Sequence, residues 1–233
     1  MNRPIAVALC TCMAAFLAGC DSAPGRRAID AERVAPDKIL DVNVLYRANC
    51  AGCHGSDGLG GAAMPLANPI YLAIADDGVL RHATSDGVAG TPMPAFARRS
   101  GGMLTDEQIE ALVAGIRARW ADPAAVAGID LPLYVDPSPG DAQRGEHVFA
   151  TYCASCHGDG GRGARGGSSI VDGSYLALVS DQGLRTTVIA GRPDLGAPDW
   201  RGNVRGTTMT PQDITDVVAW LSVRRRETAR GTP

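Results

Sequence analysis

The sequence predicts an all-α protein built from two copies of one small helical module. Two observations support this prediction: short motifs recur along the chain at a nearly constant separation, and each half ends in an amphipathic helical pattern. A chain of 233 residues accommodates two modules of about 100 residues, and modules of that size bury thin cores unless something supplements them. The net charge of −3 and the single lysine, Lys38, give no support to a nucleic-acid partner.

The first 19 residues are predicted to be a lipoprotein signal peptide. Arg3 precedes an apolar run from Ile5 to Leu17, which is too short to span a bilayer as a permanent helix. The following Leu17-Ala18-Gly19-Cys20 resembles a bacterial lipobox, and the resemblance implies that Cys20 becomes a lipidated first residue. The alternative is an ordinary signal peptide with a chance cysteine.

The next segment, residues 20–37, is predicted to be a flexible tether because it lacks apolar periodicity and contains Pro24, Gly25 and Pro36. Asp21 directly follows Cys20. In some Gram-negative lipoproteins an aspartate at this place is associated with retention at the inner membrane, so the inner membrane is favoured over the outer one.

Two identical spacings carry the chemistry of the chain. They are Cys50-Ala51-Gly52-Cys53-His54 and Cys153-Ala154-Ser155-Cys156-His157, which lie 103 residues apart. Cys-x-x-Cys-His is the attachment signature of c-type haem, in which two thiols form thioethers with the porphyrin and the adjoining imidazole binds the iron. We therefore expect two covalently bound haem c groups, with His54 and His157 as iron ligands.

Two other interpretations of the cysteine pairs are weighed against haem attachment. Four thiolates could form a zinc site, but this explains neither the long separation nor the adjoining histidines. A disulfide or a thioredoxin-like redox pair is conceivable in an oxidising compartment, but it leaves the other repeated features unexplained.

Further matches extend the repeat beyond the cysteine motifs. Tyr71-Leu72-Ala73 recurs as Tyr175-Leu176-Ala177, Leu80-Arg81 as Leu184-Arg185, and Ala89-Gly90 as Ala190-Gly191. The segment between the modules is rich in proline and acidic residues, which is typical of a linker. The predicted boundaries are 38–121 for the first module, 122–137 for the linker, 138–226 for the second module and 227–233 for a tail.

Each module is predicted to close with an amphipathic helix. In the first module, Thr105 and Gln108 form a capping box ahead of an apolar stripe that contains Ile109. In the second module, Thr210 is the expected N-cap, and Pro211 occupies the first helical position.

A shorter helix is predicted before each cysteine motif. It places Tyr46 or Phe149 four residues before the first cysteine, where the ring can pack against the closing helix. Gly145 would permit a close approach of the two helices in the second module, whereas the first module has Val42 at the matching place.

These motifs together give each module a resemblance to a small class I cytochrome c, and the chain from about residue 38 to 225 resembles tandem dihaem cytochromes of bacterial respiratory chains. The resemblance implies that the helix with the haem motif packs against the C-terminal helix and that loops wrap the porphyrin. It also implies that the Pro65 carbonyl accepts the Nδ1 proton of His54.

A methionine opposite the histidine is the expected sixth iron ligand in this family. Met93 lies 40 residues after Cys53, and it stands between two prolines in a run that matches the family's methionine-ligand loop. A core-filling role is the alternative for Met93, and Met64 and Met103 are the rival thioethers.

The second module departs from this pattern because Ala197 stands where the methionine is expected. Met209 is the only methionine in this half, but it precedes the N-cap Thr210 and matches Leu104, so a packing role competes with iron binding. His147 and His82 are expected to face solvent.

The expected function is single-electron transfer by a lipid-anchored dihaem cytochrome on the periplasmic side of a bacterial membrane. Its partners would be a redox donor and acceptor, with membership of a larger respiratory complex as one possibility, and no catalytic residues are expected. The alternative function is a haem enzyme or gas-binding module that uses an open sixth position at the second haem.

Overall fold

The computed structural model describes residues 34–231 and is α-helical. The helices of the first half are α1 (Val42–Asn49), α2 (Ala51–His54), α3 (Pro69–Ile74), α4 (Asp77–Asp86) and α5 (Asp106–Trp120). The helices of the second half are α6 (Ala142–Tyr152), α7 (Ala154–His157), α8 (Gly173–Leu178), α9 (Asp181–Ala190) and α10 (Pro211–Ala229). Within the described range, β-structure is limited to isolated bridges, so the all-α prediction is confirmed.

Residues from Ile39 onward form one compact unit that contains both halves. The predicted signal peptide, Cys20 and most of the predicted tether lie outside the described residues. The last helix, α10, ends at Ala229 and therefore includes the start of the segment predicted to be a tail.

The closing helices begin as the sequence predicts. The Thr105 hydroxyl accepts a hydrogen bond from the Gln108 N–H while the Gln108 side chain accepts one from the Thr105 N–H, which is a complete capping box. Thr210 forms the same reciprocal pair with Asp213, and Pro211 follows it at the first helical position. Each box satisfies amide donors that a helix start leaves unpaired.

In both halves the helix before the cysteine motif packs on the closing helix through an aromatic pair. The Tyr46 and Trp120 rings meet edge to face with centroids 5.1 Å apart, and the Phe149 and Trp220 rings stack with centroids 4.6 Å apart. These contacts confirm the packing role predicted for Tyr46 and Phe149. They hold the end of each leading helix, and hence the cysteine motif that follows it, against the core.

The two halves achieve the close helix approach with glycines on opposite helices. A Cβ at Gly145 on α6 would lie 2.0 Å from the Asp216 carbonyl oxygen of α10. In the first half, the glycine is Gly115 on the closing helix, where a Cβ would lie 2.3 Å from a methyl group of Val42 on α1. The sequence analysis predicted that Gly145 permits the close helix approach. Gly115 serves the same purpose in the first half, from the closing helix instead of the leading one.

The segment predicted to be a linker contacts both halves: its turn Pro123–Val126 lies against α3 of the first half, and its end lies against the second half. The buried Arg185 guanidinium on α9 donates to the Leu133 and Tyr134 carbonyls and pairs with Asp136 at 3.5 Å. Burial lowers the pKa of Arg185, and the Asp136 carboxylate opposes that effect. These contacts fix the course of the chain between the two halves.

Candidate haem-binding sites

Both cysteine motifs form the same single helical turn. In the first, the Cys50 carbonyl accepts hydrogen bonds from the Cys53 N–H at 3.2 Å and the His54 N–H at 3.0 Å. In the second, the Cys153 carbonyl accepts from Cys156 at 3.2 Å and from His157 at 2.9 Å. One turn of backbone therefore presents two thiols and an imidazole in the same arrangement twice.

The four thiols are free of disulfides, and the first thiol of each pair is half-buried while the second is exposed. Burial, with a smaller effect from the neighbouring cysteine, raises the pKa of Cys50 to about 11 and that of Cys153 to about 12. Reactive redox cysteines have depressed pKa values, so this environment disfavours a thioredoxin-like role. In residues 34–231, no three side chains of the His, Cys, Asp and Glu types cluster closely enough to hold a metal ion, which disfavours a four-thiolate zinc site.

Each imidazole is oriented by a main-chain carbonyl. His54 Nδ1 lies 2.7 Å from the Met64 carbonyl oxygen, and His157 Nδ1 lies 2.9 Å from that of Ser168. A carbonyl only accepts hydrogen bonds, so Nδ1 carries a proton, and in the neutral ring Nε2 then keeps the lone pair that can bind a metal. Burial lowers the pKa of His54, and the nearby Arg192 charge adds to this effect against the opposing Met64 hydrogen bond, so the neutral ligating form is favoured.

The acceptor for His54 differs from the one expected. The resemblance implied Pro65, but the carbonyl of the preceding residue, Met64, accepts the proton. Outside a helix, successive carbonyls point in different directions, so only one of the two faces the ring. Because Met64 supplies its backbone to the histidine, it belongs to the loop on the histidine side of the site.

Glycines allow the backbone to close tightly around each histidine. Gly55 and Gly158 directly follow the two histidines and have φ values of +83° and +71°, which favour glycine. A Cβ would lie 1.8 Å from the Leu59 carbonyl oxygen at Gly55 and 2.4 Å from the Gly163 carbonyl oxygen at Gly158. The thiols, the oriented imidazoles and these tight turns together fit a covalently attached haem in each half.

Met93 lies in a loop that follows α4 and is pinned by its own hydrogen bonds. Its carbonyl accepts from the Val88 N–H at 3.1 Å, and its N–H donates to the Thr91 hydroxyl at 3.2 Å. Its side chain is half-buried, whereas the rival Met103 is 79% exposed. Met93 therefore occupies a defined loop position outside the buried core, and its role as an iron ligand stays a prediction.

In the second half, Ala197 occupies the backbone position that matches Met93. Gly191 ends α9 as Gly87 ends α4, with φ values of +68° and +71°. The residue after each glycine then donates its N–H across the loop, Arg192 to the Ala197 carbonyl at 2.9 Å and Val88 to the Met93 carbonyl at 3.1 Å. A methyl side chain therefore stands at the matching place.

The same geometry corrects one match of the sequence repeat. Ala190-Gly191 was paired with Ala89-Gly90, but Gly191 is equivalent to Gly87 because both glycines end the corresponding helices. The shared Ala-Gly dipeptide misaligned this loop by three residues. The expectation that Ala197 replaces the methionine agrees with the structural alignment.

Met209 is a core residue that takes the place of Leu104. The Met209 N–H donates to the Trp200 carbonyl at 3.1 Å, as the Leu104 N–H donates to the Phe96 carbonyl at 2.8 Å. Its side chain is 2% exposed, and its sulfur lies 3.9 Å from the Asn203 side-chain amide. This burial fits the packing role that competes with iron binding for Met209.

Both histidines outside the motifs lie on the surface, as expected. His82 is 76% exposed and its Nδ1 lies 3.0 Å from an Asp86 oxygen, while the exposed His147 contacts the Gln143 carbonyl of its own helix.

The sequence did not reveal the contacts between the two halves. Asn68 caps α3 with its side-chain oxygen and donates from Nδ2 to the Ala190 carbonyl at 2.9 Å. Arg192 and Asp194, in the loop before Ala197, bond to Gly60 and Gly61 of the first half. In the corrected alignment, Arg192 and Asp194 stand opposite Val88 and Gly90, so the repeat itself does not mark them.

A comparison with protein families decides the classification. The model described as "Cytochrome C oxidase, cbb3-type, subunit III" matches residues 37–114 and again residues 140–221, which together are more than half of the chain. The chain belongs to this family. The double match agrees with the two helical halves, and tandem class I cytochrome c domains account for both.

Relatives of this cytochrome include subunits of two kinds of respiratory complex. The cbb3-type cytochrome c oxidase subunit FixP of Sinorhizobium medicae is 32% identical over 60% of this chain and 46% of its own length. FixP of Bradyrhizobium diazoefficiens is 32% identical over 71% of this chain and 55% of its own length. A cytochrome bc1 complex cytochrome c subunit of Mycobacterium bovis is 26% identical over 63% and 51%, respectively.

This cytochrome spans about half the length of the curated relatives it matches. Family membership implies covalently bound haem c, and the two Cys-x-x-Cys-His turns provide the residues for its attachment. In the part of the chain that the structure describes, none of the helices is both apolar and long enough to span a bilayer.

Proposed function

We propose that this protein is a dihaem c-type cytochrome that transfers single electrons within a respiratory chain, as a subunit of a larger complex. The observation that carries the proposal is the duplicated turn in which two thiols and an imidazole hydrogen-bonded to a loop carbonyl share one backbone arrangement. The printed names of the relatives, subunits of cbb3-type oxidase and of the bc1 complex, support the respiratory assignment.

Each half supplies its own attachment set. Cys50 and Cys53 would hold one haem with His54 as proximal ligand and Met93 as sixth ligand. Cys153 and Cys156 would hold the other with His157 as proximal ligand. The bound haem iron would supply the ferrous–ferric couple, and the chain's residues would seal and orient it. No side chain is assigned as a nucleophile or acid–base catalyst in this proposal.

Removal of one cysteine pair at a time tests haem attachment. The intact chain, expressed with cytochrome maturation machinery, should carry two haems by mass and by pyridine haemochrome absorption. The variants Cys50→Ala/Cys53→Ala and Cys153→Ala/Cys156→Ala should each carry one. Ser155→Ala, inside the second motif, is the matched control and should retain two. A colourless wild-type chain would refute the proposal.

We infer further that the protein works on the periplasmic side of a bacterial membrane, held by a lipid on Cys20. The lipobox-like Leu17-Ala18-Gly19-Cys20 supports this anchor, and Asp21 supports the inner membrane. Cys20→Ala should release the haem-loaded protein from membranes and remove the lipid mass, whereas Cys10→Ala should change neither. An unmodified mature chain that stays soluble in the periplasm would contradict the anchor.

A second candidate function, a gas-binding haem in the second half, rests on Ala197. Its methyl group cannot bind iron, and it stands at the backbone position of Met93. Carbon monoxide added to the reduced protein should therefore shift about half of the haem absorption. An unchanged spectrum would remove this candidate and leave electron transfer unaffected.

A further inference from the structure

The loop of the second half that lacks a methionine makes a charged contact with the first half. The Arg192 guanidinium forms a two-point ion pair with Asp194, through Nε to Oδ1 at 3.0 Å and through one terminal nitrogen to Oδ2 at 2.8 Å. The side chains are only 14% and 6% exposed. An ion pair withdrawn this far from water is held in place by its further hydrogen bonds.

Those further bonds cross to the other half of the molecule. Asp194 Oδ2 accepts the Gly60 N–H at 3.1 Å, and the Arg192 terminal nitrogen donates to the Gly61 carbonyl at 2.8 Å. The carboxylate thus accepts from one residue of the first-half loop, and the guanidinium donates to the next residue. We call the Arg192–Asp194 ion pair, together with its hydrogen bonds to Gly60 and Gly61, the Arg192–Asp194 clamp.

The loop that contains Gly60 and Gly61 belongs to the first candidate haem site. Gly60 and Gly61 lie between His54 and Met64, whose carbonyl orients that histidine. A Cβ at Gly61 would lie 2.1 Å from the Cys53 carbonyl oxygen, so the loop runs directly over the cysteine motif. The clamp therefore holds the second half against the backbone that encloses the first proximal ligand.

We propose that the Arg192–Asp194 clamp is a positioning element that locks the second haem module onto the proximal loop of the first and thereby fixes the separation of the two haems. Asn68, through its bond to the Ala190 carbonyl, is the adjacent tie across the same boundary. The inference rests on the proposed function, because separation matters only when both haems are bound.

The chain offers a matched control for the clamp. Arg201 and Asp199 form the same kind of pair, with nitrogen–oxygen distances of 3.0 and 2.7 Å and a spacing of two residues. Their side-chain bonds stay within the second half: Arg201 contacts Asp199 through its side chain and backbone. Variants of this pair change the same charges without touching the first half.

Hydrogen exchange of the haem-loaded full chain tests the clamp through its partner residues in the first half. In Asp194→Asn and Arg192→Gln, exchange in the peptide that contains Gly60 should accelerate by about tenfold, the typical effect of losing one charge-assisted hydrogen bond. Asp199→Asn and Arg201→Gln should leave that peptide unchanged. Unchanged exchange in the clamp variants would overturn the proposal.

The distance between the two ferric irons, measured by pulsed electron paramagnetic resonance, tests positioning itself. The wild type and the Arg201→Gln control should give one narrow distribution, and the clamp variants a broader one. A narrow distribution in the clamp variants would overturn the positioning role even if exchange had changed. A wild-type chain without two haems would show instead that the proposed function has failed.

A charge-swapped chain separates the clamp from a purely local ion pair. Arg192→Asp combined with Asp194→Arg can restore the pair but sets donor against the Gly60 N–H and acceptor against the Gly61 carbonyl. The swap should therefore leave exchange fast and the distance distribution broad, whereas full rescue would overturn the proposal.

Arg192→Lys serves if the other variants do not accumulate with haem. A single ammonium cannot reproduce the planar fork that serves Asp194 and Gly61 together, so a smaller acceleration is expected. No acceleration in Arg192→Lys would also count against the clamp.

Discussion

The two halves of the molecule are alike around the cysteine motif and its histidine, and they differ in the loop predicted to supply the sixth ligand. Both motifs form the same turn, and both imidazoles bond to a loop carbonyl. At the matching positions of the loop predicted to supply the sixth ligand, the first half has Met93 and the second has Ala197. Covalent attachment requires a fixed set of groups, whereas the thioethers and the histidine can hold a haem whether or not a sixth ligand is present.

The loop that lacks the methionine makes a different contact. In the first half, the loop after α4 is closed by Thr91 and carries Met93. In the second half, the corresponding loop carries Arg192 and Asp194, which bond to the first half. One duplicated loop therefore carries the predicted ligand Met93 in the first half and makes a contact between the halves in the second.

The largest effect on stability is expected when the glycines at the two helix crossings are replaced. Gly145→Ala should destabilise the second half by about 3 kcal/mol, because the added methyl group meets the Asp216 backbone, which cannot move away cheaply. Gly115→Ala should cost less, because the obstacle is the Val42 side chain, and Val42→Ala should restore the loss. Denaturant unfolding of haem-loaded chains measures both, and equal losses would contradict the asymmetry.

Two single substitutions, one at Met93 and one at Ala197, test whether these residues decide the access of a gas to each iron. Carbon monoxide should bind about one haem per reduced wild-type chain, two in Met93→Ala and none in Ala197→Met, since a methionine closes the site and an alanine leaves it open. Absorption titration provides the count. Met103→Ala is the matched control because that methionine is exposed, and it should behave like the wild type.

If Met93→Ala still bound carbon monoxide at only one haem, the assignment of Met93 as a ligand would be wrong. Binding in Ala197→Met would show that the second loop does not present residue 197 to the iron.

A smaller effect is expected from acid. The Arg192 hydrogen bond holds the pKa of Asp194 below its ordinary value, and the Ser138 backbone N–H does the same for Asp136. A lowered folded-state pKa contributes stability that is present above the ordinary value of 3.8 and is lost as the pH falls through the folded-state value. Both carboxylates are mostly buried and contact residues of the second half.

The first half also has carboxylates with lowered pKa values, Asp86 beside Ser100 and Glu110 beside Arg81, but they are more exposed and solvent screens them. Acid should therefore unfold the second half at a higher pH than the first. The Soret absorption of the two single-haem variants reports each half separately. Coincident acid midpoints, or a first half that unfolds at the higher pH, would contradict this reasoning.

Local signals made much of the fold predictable. The capping residues Thr105 and Thr210 and the aromatic positions 46 and 149 act through neighbours a few residues away or through a helix stripe, so periodicity reveals them. The cysteine motifs were equally readable because their chemistry fits within one helical turn.

Contacts between distant parts of the chain could not be read in the same way. The Arg192 side chain bonds to Gly61, which lies 131 positions away in the chain, and no periodic pattern predicts such a pair. The choice between the Met64 and Pro65 carbonyls depends on the path of a loop, which composition does not specify. The mismatch at Gly191 arose because a repeated dipeptide was followed instead of the helix end.

A redox titration of the intact haem-loaded chain tests whether the two similar attachment sites differ at the sixth position of the iron. Methionine opposite histidine raises the reduction potential. We expect two one-electron transitions of equal amplitude, with the haem of the second half at the lower potential. Two indistinguishable transitions, with the spectroscopic signature of methionine ligation at both haems, would contradict this expectation.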